Sequence, residues 1–134
     1  KLNHSYDTNG NYTIKIKGDI SAINQEAFLS NNNLISVIIP NTVSKIDWYA
    51  FRGCSNLTYV DLPNTLTQIN NYCFYMCSIT TVILRWETSN DIINYSSSWF
   101  SGNLNTLKYY IPLGTRSLYI SKKYPSNQVV ERNE

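Results

Sequence analysis

Residues able to do chemistry are few in this chain, and their spacing suits no known catalytic or metal arrangement. The single histidine, His4, lies near the start of the sequence, and a Ser-His-Asp or Cys-His arrangement would have to be built on it. The carboxylates Glu26, Asp47, Asp61, Glu87 and Asp91 are scattered, whereas paired acid/base work or calcium binding needs them convergent. Read singly, each is a solvated surface charge. Cys73 and Cys77 make one C-x3-C spacing, and with Cys54 they still lack the His or Cys pair that would complete a zinc set. No H-E-x-x-H, P-loop or G-x-G-x-x-G is present, and five glycines are too few for a loop that cradles phosphate. The chain is therefore expected to be no enzyme and to need no cofactor or metal.

The 134 residues suit one domain, with 43% hydrophobic and 15% charged residues giving enough apolar material for a core. The formal net charge is +2, from 11 basic and 9 acidic residues. Lys15 to Lys17 and the pair Lys122 and Lys123 are the densest basic stretches, too sparse for the many phosphate contacts that nucleic acid binding needs. No apolar run approaches the roughly 20 residues that span a bilayer, so membrane insertion is not expected. Eleven tyrosines and many asparagines give a polar, uncharged composition. It suits an adaptable contact surface and equally a biased genome.

The elements that position these residues follow from an internal repeat. Ile20, Val43 and Leu66 are spaced by 23 residues, as are Ile23, Ile46 and Ile69, and Phe28, Phe51 and Phe74. Leu34 and Leu57, Val37 and Val60, Ile39 and Leu62, and Pro40 and Pro63 keep the same step. The third copy drops one residue after Cys77, so Ile79, Val82 and Leu84 take these roles one place early. An insertion of about four residues within Trp86 to Asp91 then precedes a fourth copy marked by Ile92, Tyr95, Phe100, Leu107, Ile111 and Pro112. Ile14 and Ile16 mark a partial copy upstream. Within one copy, L-x-x-V-x-I/L-P reads as a short strand ended by proline, which cannot donate to a ladder. The I/V/L-x-x-I step reads as a second extended segment, and A-F-x-x-C as a helical turn whose Phe plugs the core. No coil buries its apolar side alone, so stacking must supply the core.

The stretch AFRGCSNLTYVDLPNTLTQI from Ala50 to Ile69 resembles the BspA-type leucine-rich repeat, type 5, and the likeness covers roughly Ile14 to Thr115. The tail IPLGTRSLYISKKYP resembles the closing segment of such arrays. Cys73 and Trp99 stand where the motif usually has Ala, and Asn33–Leu34 lacks the usual preceding Cys. The resemblance implies a surface or secreted protein of host-associated anaerobic bacteria or of some protists. Members are linked to adhesion and to host matrix proteins.

The expected fold is an α+β repeat solenoid. It is a right-handed leucine-rich-repeat array of about five coils of 23 residues, with short parallel strands on one face. Short helical turns and extended segments form the other face, and a C-terminal capping helix closes the array. One domain spans 1–134. Residues 1–19 form an N-terminal cap and partial repeat, 20–42, 43–65, 66–88 and 92–115 the repeats, and 116–134 the C-terminal cap. In that cap, Thr115 serves as N-cap of a helix to about Lys123, Leu118 and Tyr119 pack on the last coil, and Val129 and Val130 tuck back as an extended piece.

Strand alternation sends two rows outward, Ser36, Tyr59, Thr81 and Lys108, and Ile38, Asp61, Ile83 and Tyr110. These eight residues are the candidate protein-binding surface, since solenoids often bind on the continuous strand face. The expected partner is a protein, such as a host matrix or serum protein, met outside the cell or at its surface. The insertion Trp86–Asp91 is a second candidate, and Trp48 is either a contact residue or a coil-edge cover. The alternatives to a binding module are a structural spacer and a glycan-acting enzyme, the latter opposed by Asp61 being the one acid on the strand face. Cys54 and Cys77, one coil apart, would stack at about 4.8 Å, inside the disulfide Cα range of about 4.4–6.8 Å. Both a bridge and a pair of buried free thiols fit. Asn-x-Ser/Thr sequons occur at Asn3, Asn11, Asn56 and Asn94, and count only in a glycosylating host.

Overall fold

The computed structural model describes residues 10, 12–100 and 104–133. His4 and the sequons at Asn3 and Asn11 lie outside them. The strands are β1 (Tyr12–Lys15), β2 (Ala22–Ile23), β3 (Leu34–Ile38), β4 (Lys45–Ile46), β5 (Tyr59–Asp61), β6 (Gln68–Ile69), β7 (Thr81–Ile83), β8 (Lys108–Pro112) and β9 (Val129–Arg132). A single α-helix among the described residues, α1, spans Arg116–Ser121, and short 3-10 turns occupy Ser97–Trp99 and Leu104–Thr106. One parallel sheet runs β1-β3-β5-β7-β8-β9 and a second runs β2-β4-β6. The result is a β-solenoid of about five turns.

The register follows the repeated apolar residues. Val37 stands opposite Val60, and Val60 opposite Val82, one residue closer along the chain because of the deletion after Cys77. Tyr109 and Val129 continue that row. Leu34 and Leu57, Ile39 and Leu62, and Ile23 and Ile46 are buried in successive coils. The rings of Phe28, Phe51, Phe74 and Phe100 stack at 4.9, 5.2 and 5.4 Å with interplanar angles of 2°, 11° and 10°. Phe51 and Phe74, with a ring on either side, are fully buried, while Phe28 ends the stack and is only partly buried.

The A-F-x-x-C segment is not the helical turn expected from its spacing. Asp47 to Leu57 makes successive i to i+3 turns: Ala50 N–H donates to the Asp47 carbonyl, Arg52 to Tyr49, Cys54 to Phe51 and Leu57 to Cys54. Tyr49 and Gly53 sit in the left-handed region at φ 58° and 74°, which flips alternate peptides. The flipped groups point along the stack and join the coils. Phe28 N–H donates to Ala50 (2.8 Å), Ser30 to Arg52 (2.7 Å), Phe51 to Cys73 (2.8 Å) and Gly53 to Tyr75 (2.8 Å). A helix would spend these donors internally and leave adjacent coils unlinked on this side. The left-handed positions recur at Glu26, Tyr49 and Tyr72 and at Ser30, Gly53 and Met76.

Cys54, Cys73 and Cys77 are free thiols, so no bridge joins Cys54 to Cys77. Each of these two instead donates to the Phe carbonyl of the coil before, Cys54 Sγ to Phe28 O and Cys77 Sγ to Phe51 O, both at 3.1 Å. Burial pushes the Cys73 thiol well above its ordinary range, in keeping with a packing role.

At the C-terminal end, α1 is shorter than expected and Thr115 does not cap it with its side chain. The Thr115 hydroxyl turns back to the Pro112 carbonyl at 2.6 Å. Glu131 supplies the cap instead, its Oε1 accepting from the N–H groups of Gly114 (3.0 Å) and Arg116 (3.1 Å), a carboxylate placed where the helix dipole favours it. Tyr119 is buried and Leu118 partly so. Val129 and Val130 do more than tuck back: with Glu131 and Arg132 they form a full strand paired to β8.

Candidate functional site

The first outward row forms as its spacing requires. Ser36 faces Tyr59, Tyr59 faces Thr81, and Thr81 faces Lys108 on adjacent parallel strands. All four side chains are half-buried. Thr13 extends the row by one strand, opposite Ser36. Burial, together with the nearby Asp61 charge, raises the Tyr59 phenol above its usual pKa, so it stays a neutral donor near pH 7. The Lys108 ammonium donates to the Asn127 carbonyl at 2.9 Å.

The second row, Ile38, Asp61, Ile83 and Tyr110, is also in register, but half of it is withdrawn from solvent. Asp61 is 7% and Ile83 8% exposed, against the expectation of an open face. Asp61 is covered by Arg85, just past β7. Its Nε donates to Asp61 Oδ1 and its Nη2 to Asp61 Oδ2, both at 2.8 Å, a bidentate pair. The pair draws Arg85 to Asp61, next in its row to Ile83. Strand alternation could not reveal this, because Arg85 lies 24 residues from Asp61. The row also runs further than the sequence pattern suggested, to Lys15 opposite Ile38 and Val130 opposite Tyr110.

The insertion divides in two. Trp86 is fully buried; its indole N–H donates to the Leu66 carbonyl (3.3 Å), and its own carbonyl accepts from the Tyr119 hydroxyl (2.9 Å). Glu87 to Asp91 are exposed, with Thr88 hydroxyl hydrogen-bonded to the Asp91 carboxylate. Asn90 and Asp91 line a groove together with Asn64 and Thr67. Trp99 is buried and Trp48 exposed. Asp47, in the turn run, is held below its usual pKa chiefly by the Trp48 N–H, with Asn70 and Lys45 adding to it. Among the described residues no three His, Cys, Asp or Glu side chains converge as a metal site, and no helix is long and apolar enough to cross a membrane.

Comparison with known proteins agrees with this geometry. The model of the BspA type leucine-rich repeat region matches residues 9–123, in six copies. A leucine-rich repeat protein of T. pallidum, known from its crystal structure, is similar in fold with a TM-score of 0.57 and 18% identity. The match covers 90% of this chain and 68% of that one. No curated protein matches the sequence. With the repeat model spanning β1 through α1 and the stacked parallel coils beneath it, this chain belongs to the BspA-type leucine-rich repeat family.

Proposed function

We propose that the chain is a non-catalytic protein-interaction module of a secreted or cell-surface protein, engaging a host matrix or serum protein through the strand face. Domains of this repeat class commonly bind proteins and are generally non-catalytic, and the family is typical of surface proteins. One observation carries the reading: Ser36, Tyr59, Thr81 and Lys108 stand side by side on four adjacent strands in unbroken register. Ile38 and Tyr110 flank them, partly open, while Asp61 and Ile83 act as the floor. A rigid Tyr amid small hydroxyls suits an adaptable polar contact.

The finer architecture belongs to the same proposal. One domain covers 1–134, with coils of 23 residues at 20–42, 43–65, 66–88 and 92–115 between an opening segment 1–19 and a closing one 116–134. Right-handed winding is the normal hand of parallel crossovers, and α1 with β9 closes the array.

A second reading, a structural spacer in a larger surface protein, is favoured by the internal pairing of the charges on this face. Asp61 is held by Arg85 and Lys108 by Asn127. The two readings separate on one experiment, binding of the purified chain to a panel of host matrix and serum proteins, run beside Tyr59→Ala/Thr81→Arg with matched circular dichroism. Micromolar or tighter binding that the variant weakens supports the module. Binding that the variant retains removes the strand row from the account, and no binding to any panel member supports the spacer.

A further inference from the structure

We infer that the turn run of the central coils is a second docking surface, shaped for an acidic, apolar segment of another protein laid across Trp48, Arg52 and Tyr75. Most of the large exposed hydrophobics among the described residues lie there, Leu29, Trp48, Tyr72, Tyr75 and Met76, whereas Leu113 and Ile120 lie at the C-terminal end. The rings among them, joined by Tyr49, form one patch, and Leu29 and Met76 stand at the repeat positions of Arg52 and Gly53 in the neighbouring coils. Tyr49 and Tyr72 stack at 6.0 Å, Tyr72 meets Tyr75 edge-on at 5.7 Å, and Trp48 leans on Tyr49 at 6.4 Å. Contiguous exposed apolar area of this kind marks interaction sites, and Trp, Tyr and Arg are the residues that dominate binding energy at protein interfaces.

The fold does not ask for these side chains. Tyr49, Tyr72 and Met76 occupy left-handed positions at φ 58°, 60° and 60°, where glycine, as at Gly53, is the relaxed choice.

The partner's chemistry follows from the centre of the patch. Arg52 occupies the repeat position shared by Leu29 and Tyr75, and its guanidinium lies over the rings of Tyr49 (5.3 Å) and Tyr75 (5.9 Å). No described carboxylate pairs with it; the neighbouring Asp47 is engaged by Lys45 at 3.2 Å and by Asn70 at 2.6 Å. An oriented, un-neutralised guanidinium among rings calls for a carboxylate flanked by apolar groups. Exposed aliphatic ends at Leu29 and Met76 favour a protein segment over an acidic sugar, which stacks on rings and gains little from aliphatic contacts.

The test pans a library of short random peptides on the whole chain, then measures synthetic versions of the enriched sequences. Enriched peptides are expected to carry Asp or Glu beside Leu, Phe or Trp. Their affinity is expected to fall about tenfold or more with Arg52→Glu, with Trp48→Ser/Tyr75→Ser, and with Glu to Gln exchange in the peptide. All three chain positions are exposed or ring-stacked on the surface and outside the left-handed set, and circular dichroism checks the fold. Absence of enrichment, or equal binding to Arg52→Glu, overturns the inference. Peptides that depend on Tyr59 and Thr81 instead overturn it too, while leaving the strand-face module intact. Binding of polyuronate oligosaccharides through Arg52, without peptide binding, would replace the protein partner by an anionic glycan.

Discussion

The Asp61 carboxylate on β5 is clamped by the Arg85 guanidinium from the next coil through two parallel hydrogen bonds of 2.8 Å. Asp61 is nearly buried and Arg85 is about two-fifths exposed, so solvent screens part of the attraction. Asp61→Ala is expected to lower stability by about 1–2 kcal/mol, since a buried charge-assisted pair is lost but Arg85 can re-enter water. Urea denaturation of Asp61→Ala, Arg85→Ala and the double variant checks this. The cycle should show favourable coupling; strictly additive losses would mean that the clamp contributes nothing.

Gly53 holds the turn run at φ 74°, and a Cβ placed there would meet Ser30 Oγ at 3.0 Å. Gly53→Ala is expected to cost about 1–2 kcal/mol, from the left-handed conformation and the close contact together. Ser30→Gly removes the contact but not the strain at position 53, and it also relaxes its own left-handed backbone at φ 56°. The effect of Gly53→Ala is therefore read within the Ser30→Gly background, where it should be smaller than in the native chain but not zero. Thermal melts of the two single variants and the pair measure this, and no cost of Gly53→Ala in the Ser30→Gly background would place the whole cost in the contact.

Burial raises the phenol pKa of Tyr109, Tyr119 and Tyr124 far above the ordinary value. The folded chain therefore keeps protons that the unfolded chain loses above about pH 10. Stability from these groups is intact below that pH and falls as pH rises past it, by up to about 1.4 kcal/mol per pH unit for each tyrosine. Two substitutions separate the hydroxyls. The Tyr124 hydroxyl is buried without a hydrogen-bond partner among the described residues, so Tyr124→Phe should gain about 1 kcal/mol at pH 7. The Tyr119 hydroxyl donates to the Trp86 carbonyl, so Tyr119→Phe should lose about 1 kcal/mol. Both should soften the alkaline transition. Urea titrations at pH 7 and pH 11 read both effects, and equal signs at pH 7 would contradict the assignment.

The stacking of coils was legible because it rests on identity repeated at a fixed stride. Val37 and Val60, and Phe28, Phe51 and Phe74, announce their own register at the 23-residue step. Features set by contacts between different coils were not. Trp86 reads as part of a loop, yet the chain loops out only after it, and Tyr119 hydrogen-bonds its carbonyl from 33 residues away. Asp61 falls in the second row by register, and its cover by Arg85 has no periodic signature. A-F-x-x-C spans too few residues to distinguish a helix from alternating turns. Gly53 was the available clue, while Tyr49, Tyr72, Ser30 and Met76 adopt a conformation their propensities oppose. Glu131 capping α1 lies beyond the local window that made Thr115 the natural choice.

The claim that the first outward strand row recognises protein is tested most directly on a surface. Beads displaying the chain are allowed to settle on matrix-coated plates, beside beads displaying Tyr59→Ala/Thr81→Arg at equal density and with matched melting behaviour. The expected result is attachment by the native chain and loss of most of it in the variant, with Arg52→Glu serving as a control outside the row. Equal attachment of the native and row-variant beads would contradict the claim.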